Sequence, residues 1–485
     1  MNLEKGEDWS MSEKTVTYLL ETEVPNSYIG NLLDFIYQKY VLPEAGRFTD
    51  ISRSSTDGEP SLAFTVLDTL GNRKLKMQIN GSTPVKVKIT PQNDAVTEQQ
   101  IAEAREDIAI AVDLFEEQIR QNTLFFAWRE GEEIVPERSF GKEKQSINRL
   151  LLETQILLIV LFMGIGLVLF YFIGPLVPIV LLALQFVVVF YSNKLIARSA
   201  DWHITESNPT IHLLEYPFPL GDEAIKKLPK DQLVKLKKEV YEETISRKGE
   251  LDCQVAHQIF SKYGIDCKPE NLVTRKVNVF ELVKKTADKF GFPTPEIVVS
   301  NTMLPNAAAS GPSPSRGVVL ITTGLFVQLE DDEIMSVLGH EFGHLKGRDP
   351  LWLYGLSAVQ YLLWFYVIFG LFPFGSLILL FIYFWALATI TYFIAKFFEA
   401  RADLTSAIVI GQPQVLAQAL ERIGFKRLLY ERVPVYRIQE WISLDPHPPI
   451  YFRVNRLRKL GPTDKITHPL IQSAKEVTKG FLDSL

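Results

Sequence analysis

The chain of 485 residues has only two cysteines, Cys253 and Cys267, and their separation does not fit a C-x-x-C pair. That argues against a disulfide framework or a cysteine zinc site and predicts two free thiols in a reducing compartment. Neither sign of charge is in excess: 51 basic and 57 acidic residues leave a net charge of -6 with no basic block, which sets nucleic acid aside as a partner. The opening stretch "MNLEKGEDWSMSEKT" has no apolar core, so it is not a cleavable signal peptide, and residues ahead of the first apolar run are expected in the cytoplasm. Residues 1–148 contain no histidine and no cysteine, and therefore no candidate catalytic constellation. Internal repeats and low-complexity tracts are also lacking.

The most informative absence is of charge. Neither Thr154–Asn193 nor Pro350–Ala395 holds a single charged residue. Each run is roughly twice the ~20 residues that one helix needs to cross a bilayer, so each is expected to form a helical hairpin. The first breaks at "GPLVP" (Gly174 to Pro178) and the second at "LFPFGS" (Leu371 to Ser376), where proline and glycine suit a turn. Lys142, Lys144 and Arg149 precede the first hairpin and Lys194 and Arg198 follow it; Lys346 and Arg348 precede the second and Lys396 and Arg401 follow it. By the positive-inside rule the polar parts are cytoplasmic and only the uncharged turns face out.

The fold class expected is therefore membrane α-helical plus α+β, with four transmembrane helices in two hairpins. Residues 1–148 form an N-terminal cytoplasmic α+β domain, 149–196 and 350–397 the hairpins, and 197–349 and 398–485 the two parts of a cytoplasmic catalytic domain. Strand-like runs "SLAFTVLDTL", "RKLKMQI" and "VKVKIT" and a helical pattern from Glu98 to Gln121 support the first assignment. The stretch "EAIKKLPKDQLVKLKKEVYEETISRK" reads as a helix with a solvated, lysine-rich face.

Chemistry concentrates in "LGHEFGHLKGRDP", Leu338 to Pro350. A helix starting at the acidic Asp331 and stopping near Gly347 puts His340, His344, Val337 and Glu341 on one arc, with Ile334, Leu338, Leu345 and Phe342 on the adjoining core-facing arc. H-E-x-x-H supplies two imidazoles one turn apart and a carboxylate offset toward a water on the metal. A hydrolytic zinc site needs a third protein ligand and an open position. In the downstream pattern with a third histidine, Gly347 matches the glycine, but Pro350 stands at the ligand position and cannot ligate. Asp349, one residue out of register, is one candidate. The favoured one is Glu399 in "AKFFEARADLTSA", beyond the second hairpin, with Asp403 one helical turn on as a hydrogen-bond acceptor for a ligand histidine.

From about residue 278 to 460 these motifs resemble the HtpX-type integral-membrane zinc metallopeptidases, relatives of the CAAX prenyl proteases. The resemblance is carried by "VFELVKKTADKFGFPTPEIVVSNTMLPNAAASG", "GVVLITTGLFVQLEDDEIMSVLGHEFGHLKGRD", "EARAD" and "DPHPPIYFRVNRLRKL", in the family's order. It implies one zinc ion per chain held by His340, His344 and Glu399, with Glu341 as general base and acid and Asp403 orienting a histidine. It further implies that Asn306 contacts substrate, that His447 hydrogen-bonds the oxyanion and that Arg453 braces the site. His203, His212, His257 and His468 match no family motif. The amino-terminal domain departs from the short HtpX pattern, and its role stays open.

Function follows as an expectation. The strand "GVVLITTGL", with Val318 and Leu320, is expected to pair with an extended peptide, so main chain is recognised more than side chains. The partners expected are peptide or membrane-protein substrates and the lipid bilayer, with no expectation for oligomeric state. The reading is a zinc endopeptidase at the cytoplasmic membrane face, acting in membrane-protein quality control. A CAAX-type processing protease is the alternative within the same chemistry, although such enzymes carry more spans than four. A non-catalytic scaffold or transporter with a structural zinc is the other; the hairpins carry no charge to mark an ion path, and Glu341 has no purpose in a structural site.

Overall fold

In this computed structural model the described residues are 15–20, 22, 24–56, 59–67, 74–93, 96–137, 156–218, 229–247, 249, 253–265, 268, 271–371, 377–431, 434–461 and 466–485. The flank cations Lys142, Lys144 and Arg149, the expected boundary at 148, Cys267 and most of the second hairpin turn lie outside them. The chain divides into two compact units.

The first unit comprises Met1–Leu124, Glu215–Lys230 and Phe260–Val273. It runs β1 (Val16–Leu20), α1 (Ile29–Ile36), β2 (Phe48–Thr56), β3 (Glu59–Leu67), β4 (Lys74–Asn80), β5 (Val85–Pro91) and α2 (Glu98–Arg120). The five strands form an antiparallel sheet in the order β1-β5-β4-β3-β2. Alternation along β4 and β5 buries Leu75, Met77, Ile79, Val85, Val87 and Ile89 in one core with Leu32 and Ile36 of α1 and Ile108 and Phe115 of α2, and leaves the lysines between them on the other face. α2 starts where a capping box forms: Thr97 Oγ1 accepts from Gln100 N, and Gln100 Oε1 accepts from Thr97 N at 3.1 Å. The sequence patterns for β3, β4, β5 and α2 match; β1, β2 and α1 are too short or too polar to announce themselves.

The second unit comprises Phe125–Leu214, Asp231–Ile259 and Thr274–Leu485. Its elements are β6 (Thr123–Arg129), α3 (Ile156–Ile173), α4 (Val177–Phe190), α5 (Ser192–Ser199), β7 (Trp202–Ile204), β8 (Thr210–Pro217), α6 (Lys230–Glu243), α7 (Cys253–Lys262), β9 (Val273–Asn278), α8 (Val279–Phe290), β10 (Glu296–Ser300), β11 (Ala307–Ser310), β12 (Val318–Thr322) and α9 (Thr323–Gln328). There follow α10 (Asp331–Gly347), α11 (Asp349–Leu371), α12 (Leu377–Ile410), α13 (Pro413–Glu431), α14 (Pro434–Ile442), α15 (Ile450–Arg458) and α16 (Pro469–Leu482). One sheet has the order β11-β12-β10-β7 and another β6-β8-β9. The core joins Ile297, Val299, Val319 and Ile321 of the sheet to Val283 and Ala287 of α8 and to Ile334, Leu338, Phe342 and Leu345 of α10, the arc expected to face inward. The lysine-rich helix is not uniformly solvated: Lys237 is fully buried in α6 and donates to Val135 O and Glu137 Oε1.

Among the described residues, two helical segments are long and apolar enough to cross a membrane, Gly164–Phe190 with 27 residues and Phe381–Ile410 with 30. α3 folds back on α4 at Gly174 (φ +57°), placing Gly166 against Leu181. α11 and α12 are likewise antiparallel neighbours, with Tyr383 Oη donating to Leu363 O at 3.4 Å, and Tyr354 Oη of α11 donates to Leu182 O of α4 at 2.9 Å. The outward surfaces stay apolar, with Tyr171, Phe172, Leu184, Phe381 and Ile390 exposed. α4 has 14 residues, about 21 Å at 1.5 Å each and short of the ~30 Å hydrocarbon thickness, and α5 beyond it packs Ala197 against Val298 and Val318 of the sheet.

Candidate metal centre

α10 is built to end abruptly. Glu330 caps it through Glu333, whose Oε2 accepts from Glu330 N at 3.0 Å, and Asp331, Asp332 and Glu333 meet the positive end of the helix dipole. The expected stop at Gly347 is displaced by one residue: Gly347 is still helical, and Arg348 takes the left-handed conformation (φ +54°). Gly347 is needed for another reason, since a Cβ there would overlap the Arg401 guanidinium.

Three glycines one turn apart along α10 let α12 approach its backbone. A Cβ on Gly339 would stand 2.6 Å from Ser406 Oγ and Ile410 Cγ1, and one on Gly343 would stand 3.0 Å from Ala402 Cα. This seam brings the α12 carboxylates to the α10 imidazoles. His340 Nε2 lies 3.2 Å from His344 Nε2 and 3.4 Å from Glu399 Oε2, and His344 Nε2 lies 3.5 Å from Glu399 Oε1. Two atoms each about 2.05 Å from a tetrahedral zinc stand roughly 3.3 Å apart, so the three edges fit such an ion. Glu399 Oε2 is buried and has no hydrogen-bond partner among the described residues, which leaves it available as a ligand. The donor set, two imidazoles and a carboxylate, suits zinc with one position open.

Behind each histidine stands an aspartate backed by an arginine. His340 Nδ1 is 2.8 Å from Asp403 Oδ1, and Arg453 donates to Asp403 through Nε at 2.9 Å and Nη2 at 2.7 Å. His344 Nδ1 is 2.7 Å from Asp349 Oδ2, which also accepts from Arg401 Nη2. Asp349 is thus removed as a rival third ligand: its carboxylate meets Nδ1, while Glu399 faces the two Nε2 atoms. Burial opposes charge on His344, yet Glu399, Asp349 and Glu341 together hold its imidazolium well above the usual histidine range. His340 is also raised, against burial, by Asp403 and Glu399. A setting that favours a proton this strongly is one that favours a cation. Arg453, although burial disfavours its charge, is raised by Asp403.

Glu341 points to the sheet edge, where its Oε2 accepts from Ala309 N in β11 at 2.9 Å. The sequence expectation that Val318 and Leu320 bind substrate by strand pairing is corrected here. β12 is an interior strand, hydrogen-bonded to β10 on one side and β11 on the other, so its main chain has no free edge. The edge strand on the side of Glu341 is β11. Asn306 immediately precedes β11 and exposes its side chain, while its main chain is pinned to Thr322 through N to Oγ1 at 2.8 Å. His447 also reaches the centre, with Nε2 3.5 Å from Glu399 Oε2. Asp445 Oδ1 accepts the His447 backbone N–H at 2.8 Å and lies 2.7 Å from Nδ1. Burial would raise the Asp445 carboxyl, but His447 and Arg427 hold it well below the carboxylate range.

The structure therefore brings His340, Glu341, His344, Glu399, Asp403, His447 and Arg453 together. Sequence reasoning missed Asp349 as a partner of His344, Arg401 behind it, Asp445, and the glycine seam; the G-x-x-x-G-x-x-x-G spacing inside the motif was the available signal for the last.

Residues 274–461 match Peptidase family M48. A "Protease HtpX homolog" of Thermococcus sibiricus is 31% identical over 219 residues, covering 38% of this chain and 73% of that protein. The homologue of Pyrococcus abyssi is 34% identical over 209 residues, covering 37% of this chain and 72% of the other. The crystal structure of S. mikatae Ste24p aligns at 20% identity with a TM-score of 0.29, over 36% of this chain and 49% of that one, too slight a likeness to argue from. On the motifs, their geometry and the extent of these matches, the chain belongs to peptidase family M48 and is an HtpX-type metallopeptidase.

Proposed function

We propose that the protein is a membrane-embedded zinc endopeptidase that hydrolyses peptide bonds at the cytoplasmic face and serves membrane-protein quality control. One observation carries the reading: the Glu399 carboxylate, whose buried Oε2 has no hydrogen-bond partner among the described residues, faces the Nε2 atoms of His340 and His344, next to a carboxylate set on a strand edge. His340, His344 and Glu399 would hold the ion. Bound there, zinc would lower the pKa of water toward ~7 and polarise the scissile carbonyl. Glu341 takes the proton from the attacking water and returns it to the leaving amine nitrogen. His447, held by Asp445, donates to the oxyanion, and Arg453 keeps Asp403 on His340. An extended substrate lies along β11, whose Ala309 N–H already faces the site, and Asn306 contacts it at the strand's start. Pairing through main chain implies broad sequence tolerance.

The bilayer is a constituent of the proposal. α3 with α4, and α11 with α12, supply four spans, with the polar parts and both zinc-bearing segments in the cytoplasm. Substrates are then misfolded membrane proteins or their accessible loops. Glu341→Gln tests the chemistry: it keeps the shape and the metal and loses cleavage of an unfolded membrane protein by a factor on the order of 10³ or more. Equal cleavage by the two proteins would sink the enzymatic reading.

A further inference from the structure

Behind the metal centre, on the far side of Arg401, lies a cavity of about 390 Å³. It is lined by Lys346, Arg401, Thr405, Thr467 and His468 and by the start of α16, where Pro469 occupies the first turn and no side chain caps the helix. No carboxylate lines it among the described residues. Arg401 Nε is buried without a hydrogen-bond partner among the described residues, although Nη2 of the same group holds Asp349. Lys346 is exposed and has a ring, Phe290, 5.6 Å away in place of a carboxylate. Two cations, the Thr467 hydroxyl and open helix N–H groups make a cradle for an oxyanion, while the Thr405 hydroxyl, which donates to Arg401 O at 2.8 Å, forms part of its wall. The rim is apolar: Leu470 and Ile471 are 42% and 56% exposed. A free phosphate has no use for such a rim, whereas an acyl chain does.

We propose that this cavity takes the phosphate of an anionic phospholipid headgroup, with the acyl chains over Leu470 and Ile471. The inference rests on the membrane boundary proposed above, because Lys346 and Arg401 bracket the second hairpin and so meet the headgroup layer. The bound phosphate shares Arg401 with Asp349 and hence reaches the back of His344.

The test uses the full chain in a neutral detergent, with native mass spectrometry and thermal melting as readouts. The probes are dioleoylphosphatidic acid, dioleoylphosphatidylcholine and inorganic phosphate. Phosphatidic acid is expected to bind about tenfold or more tightly than phosphatidylcholine and to raise the melting temperature. Lys346→Ala and Thr405→Asp should each weaken it by about tenfold, and the paired Leu470→Ser and Ile471→Ser by a similar factor, with bound zinc unchanged to show intact folding. Phosphatidic acid retained equally by wild type and both cavity variants overturns the proposal. So does inorganic phosphate that matches phosphatidic acid and ignores the rim variant, which assigns the cavity to free phosphate. A chain that is monodisperse without detergent would instead overturn the membrane boundary, and the cavity variants read the site separately from that.

Discussion

At the scale of single residues, the centre consists of two relays, His340–Asp403–Arg453 and His344–Asp349–Arg401. A carboxylate on Nδ1 fixes the ring and its tautomer, leaving Nε2 for the metal. Asp349→Ala is therefore expected to keep zinc but to bind it about 10- to 100-fold more weakly, measured by competition with a chelator. Unchanged affinity would mean that Arg401 and packing alone orient His344. The sequence showed both aspartates but could not assign the second. Asp349 follows a left-handed Arg348 and opens a new helix at Pro350, and that reversal turns its carboxylate back onto Nδ1. Backbone reversal of this kind at a non-glycine residue leaves no signal in residue type.

Between elements, the determining contact is α10 on α12. Gly343 lets the α10 backbone meet the α12 backbone at Ala402, Gly339 admits the Ser406 and Ile410 side chains and Gly347 the Arg401 guanidinium, and the reach of Glu399 depends on that closeness. Gly343→Ala, whose Cβ would press on the Ala402 backbone, should cost about 1–3 kcal/mol and loosen zinc at the same time, whereas alanine in a glycine-tolerant exposed helix would stabilise. A variant with raised melting temperature and full metal would show that the seam has slack. A second contact fixes α15, which carries Arg453. Glu431, buried at the end of α13, accepts from Ile450 N and Tyr451 N, both at 2.8 Å. Burial raises its carboxyl to about 7, against the pull of those two N–H groups. Because the folded chain binds this proton more tightly than the unfolded chain, its contribution is full below the ordinary carboxyl range and is lost as pH rises through about 7. From about pH 5 to about pH 8 the melting temperature of wild type should therefore fall relative to Glu431→Gln. Parallel curves would contradict that assignment. Helix-terminal capping across such a separation, residue 431 to residues 450 and 451, cannot be read from pattern.

For the whole molecule, much was legible because the signals were compositional. The charge-free runs gave the apolar hairpins, the 3.6-residue arc gave the core face of α10, and the carboxylate spacing in "EARAD" gave the far side of the centre. What escaped depended on which edge of a sheet is free and on what a cation touches. β12 reads as a fine strand, and only its pairing on both sides shows that its main chain has no free edge. Lys396 and Arg401 read as flanks that orient the second hairpin. In the structure Lys396 is buried and donates to Asp445 O, while Arg401 braces Asp349, so both cations also serve the site.

The central claim is that the second hairpin returns the chain so that Glu399 completes a centre begun by His340 and His344. Metal analysis of the purified full chain beside its Glu399→Ala variant tests this most directly. The account predicts about one zinc per wild-type chain and essentially none in the variant, since two imidazoles alone make a weak site. A variant that retains stoichiometric zinc would contradict it.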